Sequence, residues 1–198
     1  IICPAGYYSA PGDTSCTICS VGYFCASAGT SRTVFLASIC PAVYYCPQGT
    51  AADPTTSSPT YDCQKGYYCL AGTTSPTPCA SGTYNNALQG TSSASCLATP
   101  AGYYSASGVG DYTAFPCNQG YYCPIGSTGG NAVPCAIGTF RATSGAGASA
   151  DCSPCTAGYY CLAATVTPII CKFGFCPTGS SNPTPCLAGT YAATTGLT

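Results

Sequence analysis

The sequence predicts a small disulfide-rich fold, mostly irregular with short β-strands and hairpins and almost no helix, arranged as an elongated tandem-repeat rod. The 198 residues include 19 cysteines, a fraction typical of disulfide scaffolds. The phrase Cys-x-x-Gly-aromatic recurs along the chain, and its fullest copies begin at Cys63, Cys117 and Cys171, 54 residues apart. A fixed period of this kind indicates a tandem array. No segment has the sustained 3.6-residue period of an amphipathic helix.

The recurring phrase divides the chain into short repeats. They begin at residues 3, 19, 40, 63, 79, 99, 117, 135, 155, 171 and 186. A glycine three residues after the opening residue predicts a turn with positive φ or a close backbone approach, and Val43 takes that place in the third repeat. The aromatic pair that follows, such as Tyr121-Tyr122, favours a short strand. Each repeat should contact mainly its neighbours, which predicts the rod.

Variation among the repeats suggests five segments. Residues 1–39 are cysteine-rich repeats, and residues 40–62 are an extra repeat with a Pro/Thr/Ser-rich loop. Residues 63–116 and 117–170 are two cysteine-rich repeat blocks, and residues 171–198 start a further, truncated block. Since the chain begins and ends inside a repeat, we expect it to be a piece of a longer polypeptide.

Charge and residue usage argue against several classes of function. There are four Lys or Arg residues and five Asp, with a net charge of −1, so we expect no binding to nucleic acid. The chain has no His and no Glu, and general acid–base catalysis needs a titratable pair, so we expect neither an enzyme nor a cofactor. The longest apolar run, residues 34–45, is too short for a membrane span.

The cysteines themselves allow two uses, metal binding and disulfide bonding. Cys16-x-x-Cys19 and Cys152-x-x-Cys155 have the spacing of zinc ligands. Both pairs lie inside repeats that already account for them, so we expect disulfides and no metal. Disulfides form and persist in oxidising compartments, which predicts an extracellular protein, secreted or on the cell surface.

The first repeats resemble a known module. The block Cys3-x-x-Gly-Tyr-Tyr, followed by Cys16-Thr-Ile-Cys19-x-x-Gly-Tyr-Phe-Cys25, is similar to the ephrin-receptor-like cysteine-rich repeat, one of the EGF-like and tumour-necrosis-factor-receptor-like modules. Degenerate copies cover nearly the whole chain. The many copies of low charge also resemble protist or algal surface and flagellar-hair (mastigoneme) glycoproteins. This resemblance implies first-to-third and second-to-fourth pairing, such as Cys3–Cys19 with Cys16–Cys25.

The order of the cysteines supports a different pairing. They alternate between openers and closers, and the repeat at residues 99–105 has lost both, with Thr99 and Ser105 in their places. If these two cysteines were partners, their joint loss leaves no unpaired thiol, whereas losing one from each of two bridges would leave two. This favours opener-to-closer bridges, but both this pairing and the one implied by the resemblance remain open here. Under either scheme Cys79 pairs with Cys96, and Cys186 has its partner beyond Thr198 or in another copy. The openers are Cys3, Cys19, Cys40, Cys63, Cys79, Cys117, Cys135, Cys155, Cys171 and Cys186, and the closers are Cys16, Cys25, Cys46, Cys69, Cys96, Cys123, Cys152, Cys161 and Cys176.

Covalent sugar is predicted from the hydroxyl residues. No Asn lies in an N-glycosylation sequon, since Asn182 is followed by Pro183 and the others lack the hydroxyl residue. Ser and Thr cluster beside Pro in residues 54–60, 73–78 and 180–185, as is typical of O-glycan carriers. The predicted O-glycosylation sites are Thr55, Thr56, Ser57, Ser58, Thr60, Thr74, Ser75, Thr77 and Thr184.

These observations favour a structural function. We expect a building block of an extracellular glycoprotein fibre, filament or coat that self-associates into a polymer. The alternative is a receptor or adhesion ectodomain that binds a protein ligand. The five tyrosine pairs should pack mostly on their own or the next repeat, with the second tyrosine of each pair the more exposed.

Overall fold

The computed structural model describes residues 1–56, 60–189 and 195–196 of the chain. Within these residues it has one α-helix, α1 (Arg32–Ala37), and three 3-10 helices, Ser93–Ser95, Tyr112–Ala114 and Ser149–Asp151. The rest is turns and strands of two residues each, which confirms a small, disulfide-rich and mostly irregular fold with almost no helix. The strands are β1 (Tyr7–Tyr8), β2 (Thr17–Ile18), β3 (Tyr67–Tyr68), β4 (Thr77–Pro78), β5 (Thr83–Tyr84), β6 (Leu97–Ala98), β7 (Tyr121–Tyr122), β8 (Val133–Pro134), β9 (Thr139–Phe140), β10 (Ser153–Pro154), β11 (Tyr159–Tyr160) and β12 (Ile169–Ile170).

The chain forms two compact units. The first comprises Ile1–Ala80, Tyr84–Leu97 and Ser107–Asp111, and contains the antiparallel pairs β1–β2 and β3–β4. The second comprises Ser81–Thr83, Ala98–Ala106 and Tyr112–Thr198, and contains β7–β8, β9–β10 and β11–β12. In four of these five hairpins a tyrosine pair forms one strand, as the β-propensity of aromatic residues predicts. The five segments expected from the sequence stay a prediction.

In the first compact unit, consecutive repeats are joined by a fixed set of backbone hydrogen bonds. The N–H of Gly6 donates to the carbonyl oxygen of Cys25 (2.9 Å), which lies in the second repeat. The N–H of Cys19, which opens the second repeat, donates back to the carbonyl of Gly6 (2.8 Å). Further on, the N–H of Gly29 donates to the carbonyl of Cys3 (2.7 Å). Each repeat therefore satisfies backbone groups of the repeat before it.

In the second compact unit, the same set recurs at equivalent positions. The N–H of Gly102 donates to the carbonyl of Cys123 (2.9 Å), and the N–H of Cys117 donates back to the carbonyl of Gly102 (2.8 Å). The N–H of Gly126 donates to the carbonyl of Thr99 (2.8 Å). Backbone groups that would otherwise be buried without partners are paired in the same way whether or not the repeat contains cysteine.

The turn glycine of the motif has the conformation that the sequence predicts. Gly102 has φ +89°, and an ideal Cβ built on it would lie 2.7 Å from the carbonyl oxygen of Gly145, two repeats further on. The close approach leaves no room for a side chain at Gly102, and the positive φ also disfavours one. Val43 occupies the equivalent turn with φ +75°, a strained conformation for a β-branched residue.

Helix α1 was not foreseen in the sequence, because six residues are too few to show a period. Its N-cap is Ser31, whose hydroxyl accepts a hydrogen bond from the N–H of Val34 (3.4 Å). Phe35, 5% exposed, stacks on Tyr8 with ring centroids 4.2 Å apart and packs against Tyr23 at 4.8 Å. This aromatic cluster lies against a disulfide of the second repeat. Elsewhere in the described residues, the buried apolar side chains are chiefly half-cystines.

Candidate interaction and modification sites

The described residues contain nine disulfides, each joining an opener to the closer that follows it. Their Cα–Cα distances are 5.6–6.2 Å, in the usual range for disulfides. The first-to-third and second-to-fourth pairing implied by the resemblance is therefore wrong for this chain. The bridges are Cys3–Cys16, Cys19–Cys25, Cys40–Cys46, Cys63–Cys69, Cys79–Cys96, Cys117–Cys123, Cys135–Cys152, Cys155–Cys161 and Cys171–Cys176.

The glycine turn explains why so short a segment can close on itself. An extended segment from Cys117 to Cys123 would span about 20 Å at ~3.3 Å per residue. The two Cα atoms are instead 5.7 Å apart, because Gly120 turns the chain with φ +80°.

The repeats with longer disulfide loops keep the same backbone closure six residues after the opener. In the repeat that opens at Cys135, that place is held by Arg141, whose N–H donates to the carbonyl of Thr165 (3.0 Å). In repeats whose disulfide spans only six residues, a half-cystine makes the equivalent bond, as the N–H of Cys25 does to the carbonyl of Thr50 (2.9 Å). The position is therefore defined by the backbone, and the disulfide of a long-loop repeat is displaced to a later cysteine.

In the cysteine-free repeat, a hydroxyl pair occupies the place of the disulfide. Thr99 and Ser105 are both fully buried, and the Thr99 hydroxyl donates to the Ser105 hydroxyl oxygen (2.8 Å). Their backbone N–H groups bond to the carbonyls of Gly82 (2.9 Å) and Ser127 (3.1 Å), as in bridged repeats. The signal for this pair was present in the sequence, since both lost cysteines are replaced by small hydroxyl residues.

The cysteines considered for zinc are all used in disulfides: Cys16 and Cys19 lie in two different bridges, as do Cys152 and Cys155. In the part of the chain that the structure describes, no group of three or more Cys, Asp, Glu or His side chains is placed to hold a metal ion. Cys186 is half-buried and has no disulfide within the described residues. Its expected partner outside residues 1–198 stays a prediction.

The predicted O-glycosylation sites that the structure describes are all exposed. Ser57 and Ser58 lie outside the described residues. By contrast, the threonines that follow the second turn of a repeat, such as Thr30 and Thr50, are buried, and their hydroxyls donate to backbone carbonyls three residues earlier (2.6 and 2.7 Å). Burial thus excludes Thr30 and Thr50 from modification and leaves the predicted sites accessible. The exposed sites are Thr55, Thr56, Thr60, Thr74, Ser75, Thr77 and Thr184.

The expectation that the second tyrosine of each pair is the more exposed is wrong in the two pairs that differ in exposure. Tyr7 and Tyr159, the first of their pairs, are exposed, whereas Tyr8 and Tyr160 are partly buried. In the first pair the reason is packing, because the second ring stacks on Phe35 of α1. Position within the pair therefore does not by itself predict exposure.

An apolar groove of about 320 Å³ lies near the end of the described chain. Phe173, 82% exposed, forms part of its wall together with Ile169 and Ile170, and Lys172 lies at its edge. An aromatic ring this exposed is costly in water unless something covers it. The groove is therefore the strongest apolar candidate for contact with another chain.

Asp151 and Asp53 each hold a local turn through hydrogen bonds from nearby residues. The Asp151 carboxylate accepts hydrogen bonds from the N–H groups of Gly147 (2.7 Å) and Ala148 (3.0 Å). These bonds, with a smaller contribution from the nearby Arg141 charge, hold the pKa of Asp151 below its usual value. Asp53 likewise accepts from the N–H and hydroxyl of Thr55 (2.9 and 2.7 Å).

Comparison with known proteins leaves the resemblance to the ephrin-receptor-like module as a proposal. No protein-family model matches the chain, and no curated protein matches it either. Among the described residues, no helix has the length and apolar character needed to cross a bilayer.

Proposed function

We propose that the chain is a structural building block of an extracellular glycoprotein fibre or cell-surface coat. The observation that carries this proposal is the recurrence of one set of backbone hydrogen bonds from repeat to repeat in each compact unit. Contacts of this kind can be extended by further repeats without new local geometry. An elongated rod, built of ephrin-receptor-like repeats, is part of the same proposal.

The character of the surface supports assembly into a polymer. Only 5% of the residues are charged, against roughly a quarter or more on typical soluble surfaces. Large apolar side chains are exposed in both compact units, including Leu36 at 60% and Phe173 at 82%. Neighbouring copies that bury such side chains would gain hydrophobic stabilisation, and a contact that does not close on itself makes a filament.

O-linked sugar is the second part of the proposal. Sugar on the exposed Ser and Thr residues would supply the hydration that the scarce charges do not. Mass spectrometry of peptides from native material tests this part, since we expect peptides that contain Thr55, Thr74 or Thr184 to be heavier than their amino-acid sequences. Unmodified masses for all of these peptides would contradict it.

The nine disulfides suggest an extracellular protein. We propose, more specifically, that the protein is secreted or displayed at the cell surface. Negative-stain electron microscopy of the secreted protein separates the fibre from the alternative, a receptor or adhesion ectodomain. We expect filaments that lengthen with protein concentration; single particles at all concentrations would reject the fibre and favour the ectodomain.

A further inference from the structure

An uncharged groove in the second compact unit has the features of a ligand site. It has a volume of about 610 Å³, and Tyr104, Asn118, Gln119, Asn131, Ser144 and Val166 contribute to its lining. A second hollow of about 530 Å³ is also lined by Asn118 and Asn131. None of the lining residues of either hollow carries a charge. Ligand sites in proteins commonly have volumes of roughly 300–1,000 Å³.

A glycine brings the aromatic and amide groups of the groove together. An ideal Cβ on Gly130 would lie 2.9 Å from Cε1 of Tyr104 and 2.9 Å from Cγ of Asn118. The ring and the amide therefore lie against bare backbone, where any side chain would displace both. The ring is further held by Phe115 in an edge-to-face contact with centroids 5.7 Å apart, and the Asn118 N–H donates to the Gly130 carbonyl (2.9 Å).

The two asparagine side chains are preorganised by a hydrogen bond to each other. Nδ2 of Asn118 donates to Oδ1 of Asn131 (2.7 Å), and both residues are exposed. This bond leaves the carbonyl oxygen of Asn118 with acceptor capacity and the amide nitrogen of Asn131 with donor capacity. If the oxygen and nitrogen atoms of both amides are exchanged, one acceptor and one donor still remain for a ligand. The pair therefore offers one acceptor and one donor to a ligand, and adjacent hydroxyl groups, each of which can donate and accept, match this complement.

We propose that this groove binds a neutral oligosaccharide. The apolar face of a sugar ring would pack on the Tyr104 ring, and its hydroxyls would bond to the amides of Asn118, Gln119 and Asn131. The absence of charged residues in the lining favours a neutral sugar over a uronic acid or phosphorylated sugar. The source is either a separate polysaccharide or the O-linked sugar of another copy of this chain. This binding goes beyond the proposed structural function. Binding of a separate polysaccharide does not depend on that function, because a single unassembled chain should bind, whereas binding to another copy rests on the proposed O-linked sugar.

Nuclear magnetic resonance titration of the ¹⁵N-labelled chain tests the proposal. One arm uses neutral tetrasaccharides of glucose, mannose, galactose and arabinose up to 20 mM, with tetragalacturonate as the charged comparison. The other arm uses a peptide of residues 180–185 with a single hexose on Thr184, and the same peptide without sugar. We expect at least one neutral sugar or the glycopeptide to shift the side-chain amide signals of Asn118 and Asn131. Binding of the glycopeptide but not of the bare peptide or the free sugars identifies another copy as the source.

Matched variants assign the binding to the groove. Asn131→Ala should weaken binding at least fivefold, because it removes the donor and releases Asn118. Asn86→Ala, at an exposed asparagine outside the groove, should leave binding unchanged. The backbone amide spectrum of each variant establishes that it is folded. The proposal is overturned if no neutral sugar or glycopeptide shifts these signals at 20 mM, if the charged comparison binds as well as the neutral sugars, or if Asn131→Ala binds as tightly as the parent chain.

Discussion

Restoring the two missing cysteines of the repeat at residues 99–105 should add a tenth disulfide and stabilise the protein. The Thr99 and Ser105 hydroxyl oxygens are 2.8 Å apart, both side chains are fully buried, and their backbone N–H groups are bonded as in bridged repeats. The double variant Thr99→Cys/Ser105→Cys therefore places two thiols where six-residue closures elsewhere have Cα–Cα distances of 5.7–6.2 Å. Oxidation should close the new bridge without moving the backbone.

The expected gain follows from the length of the closed loop. Chain-entropy loss for a loop of about seven residues stabilises the folded state by roughly 2.3 kcal/mol at 25 °C. The hydroxyl–hydroxyl hydrogen bond that is lost contributes about 1 kcal/mol. The net increase in the free energy of unfolding is therefore about 1.3 kcal/mol. For a chain of this size, that corresponds to a rise in Tm of about 3–5 °C.

The assay combines peptide mapping with denaturation. Chymotrypsin can cut after Tyr103 and Tyr104, so a closed bridge holds the two resulting peptides together until a reductant is added. Denaturant unfolding followed by near-ultraviolet circular dichroism of tyrosine gives the stability. The single variants Thr99→Cys and Ser105→Cys are the controls, and each should be less stable than the parent, because each disrupts a buried hydroxyl pair. A folded double variant with two more free thiols than the parent, or a bridge that lowers stability, would refute the equivalence of the hydroxyl pair and the disulfide.

Three further predictions follow from other contacts. Gly102→Ala should lower the free energy of unfolding by about 2–4 kcal/mol, because the new Cβ would clash with the Gly145 carbonyl. Gly145→Ala has a similar positive φ but nothing within 4 Å of its Cβ, and should cost only about 1 kcal/mol. Equal losses in denaturant unfolding would exclude the close approach as the cause. The depressed pKa of Asp151 stabilises the fold fully above the unfolded pKa of this carboxyl, and the stabilisation is lost as the pH falls through the lower folded pKa. Asp151→Asn should therefore be less stable than the parent at neutral pH and equally stable in acid. Parallel curves of stability against pH would contradict this. Phe173→Ser should weaken self-association about tenfold in sedimentation velocity, since burial of an aromatic side chain is worth about 1.5–3 kcal/mol. Ile125, 70% exposed, lies outside the apolar groove, and Ile125→Ser is the control. An unchanged association constant for Phe173→Ser would show that the apolar groove is not part of the interface.

Much of the local structure could be predicted from the sequence because a few residue types determine it. Glycine three residues after the opener has positive φ, as at Gly120, and the tyrosine pairs that follow form short strands, as at Tyr121–Tyr122. The paired loss at Thr99 and Ser105 favoured opener-to-closer bridges over the alternative scheme, by an argument about thiol balance that needs no coordinates. Each of these features lies within a single repeat.

What could not be predicted depends on contacts between residues far apart in the chain. Helix α1 is too short for a periodic pattern. It is stabilised by packing of Phe35 on Tyr8 and Tyr23, which lie 27 and 12 residues before it in the chain. The approach of Gly102 to Gly145 crosses two repeats. The groove at Asn118 depends on where Gly130 lies in space, which no spacing rule gives. The error about tyrosine exposure in the first pair has the same origin, because Phe35, which stacks on Tyr8, lies outside the motif of that pair.

The confinement of every observed disulfide within a single repeat has a mechanical consequence. In each compact unit, adjacent repeats are joined by the continuous backbone, hydrogen bonds and packing, and by no cross-repeat disulfide. Tension along the chain can therefore peel one repeat from the next without breaking a covalent bond. The six-residue loops keep their turns closed while this happens, so a detached repeat retains its shape and can re-form the same bonds when the load is removed. Bridges between repeats would resist such extension, and with the observed bridges confined within repeats we expect the chain to be extensible.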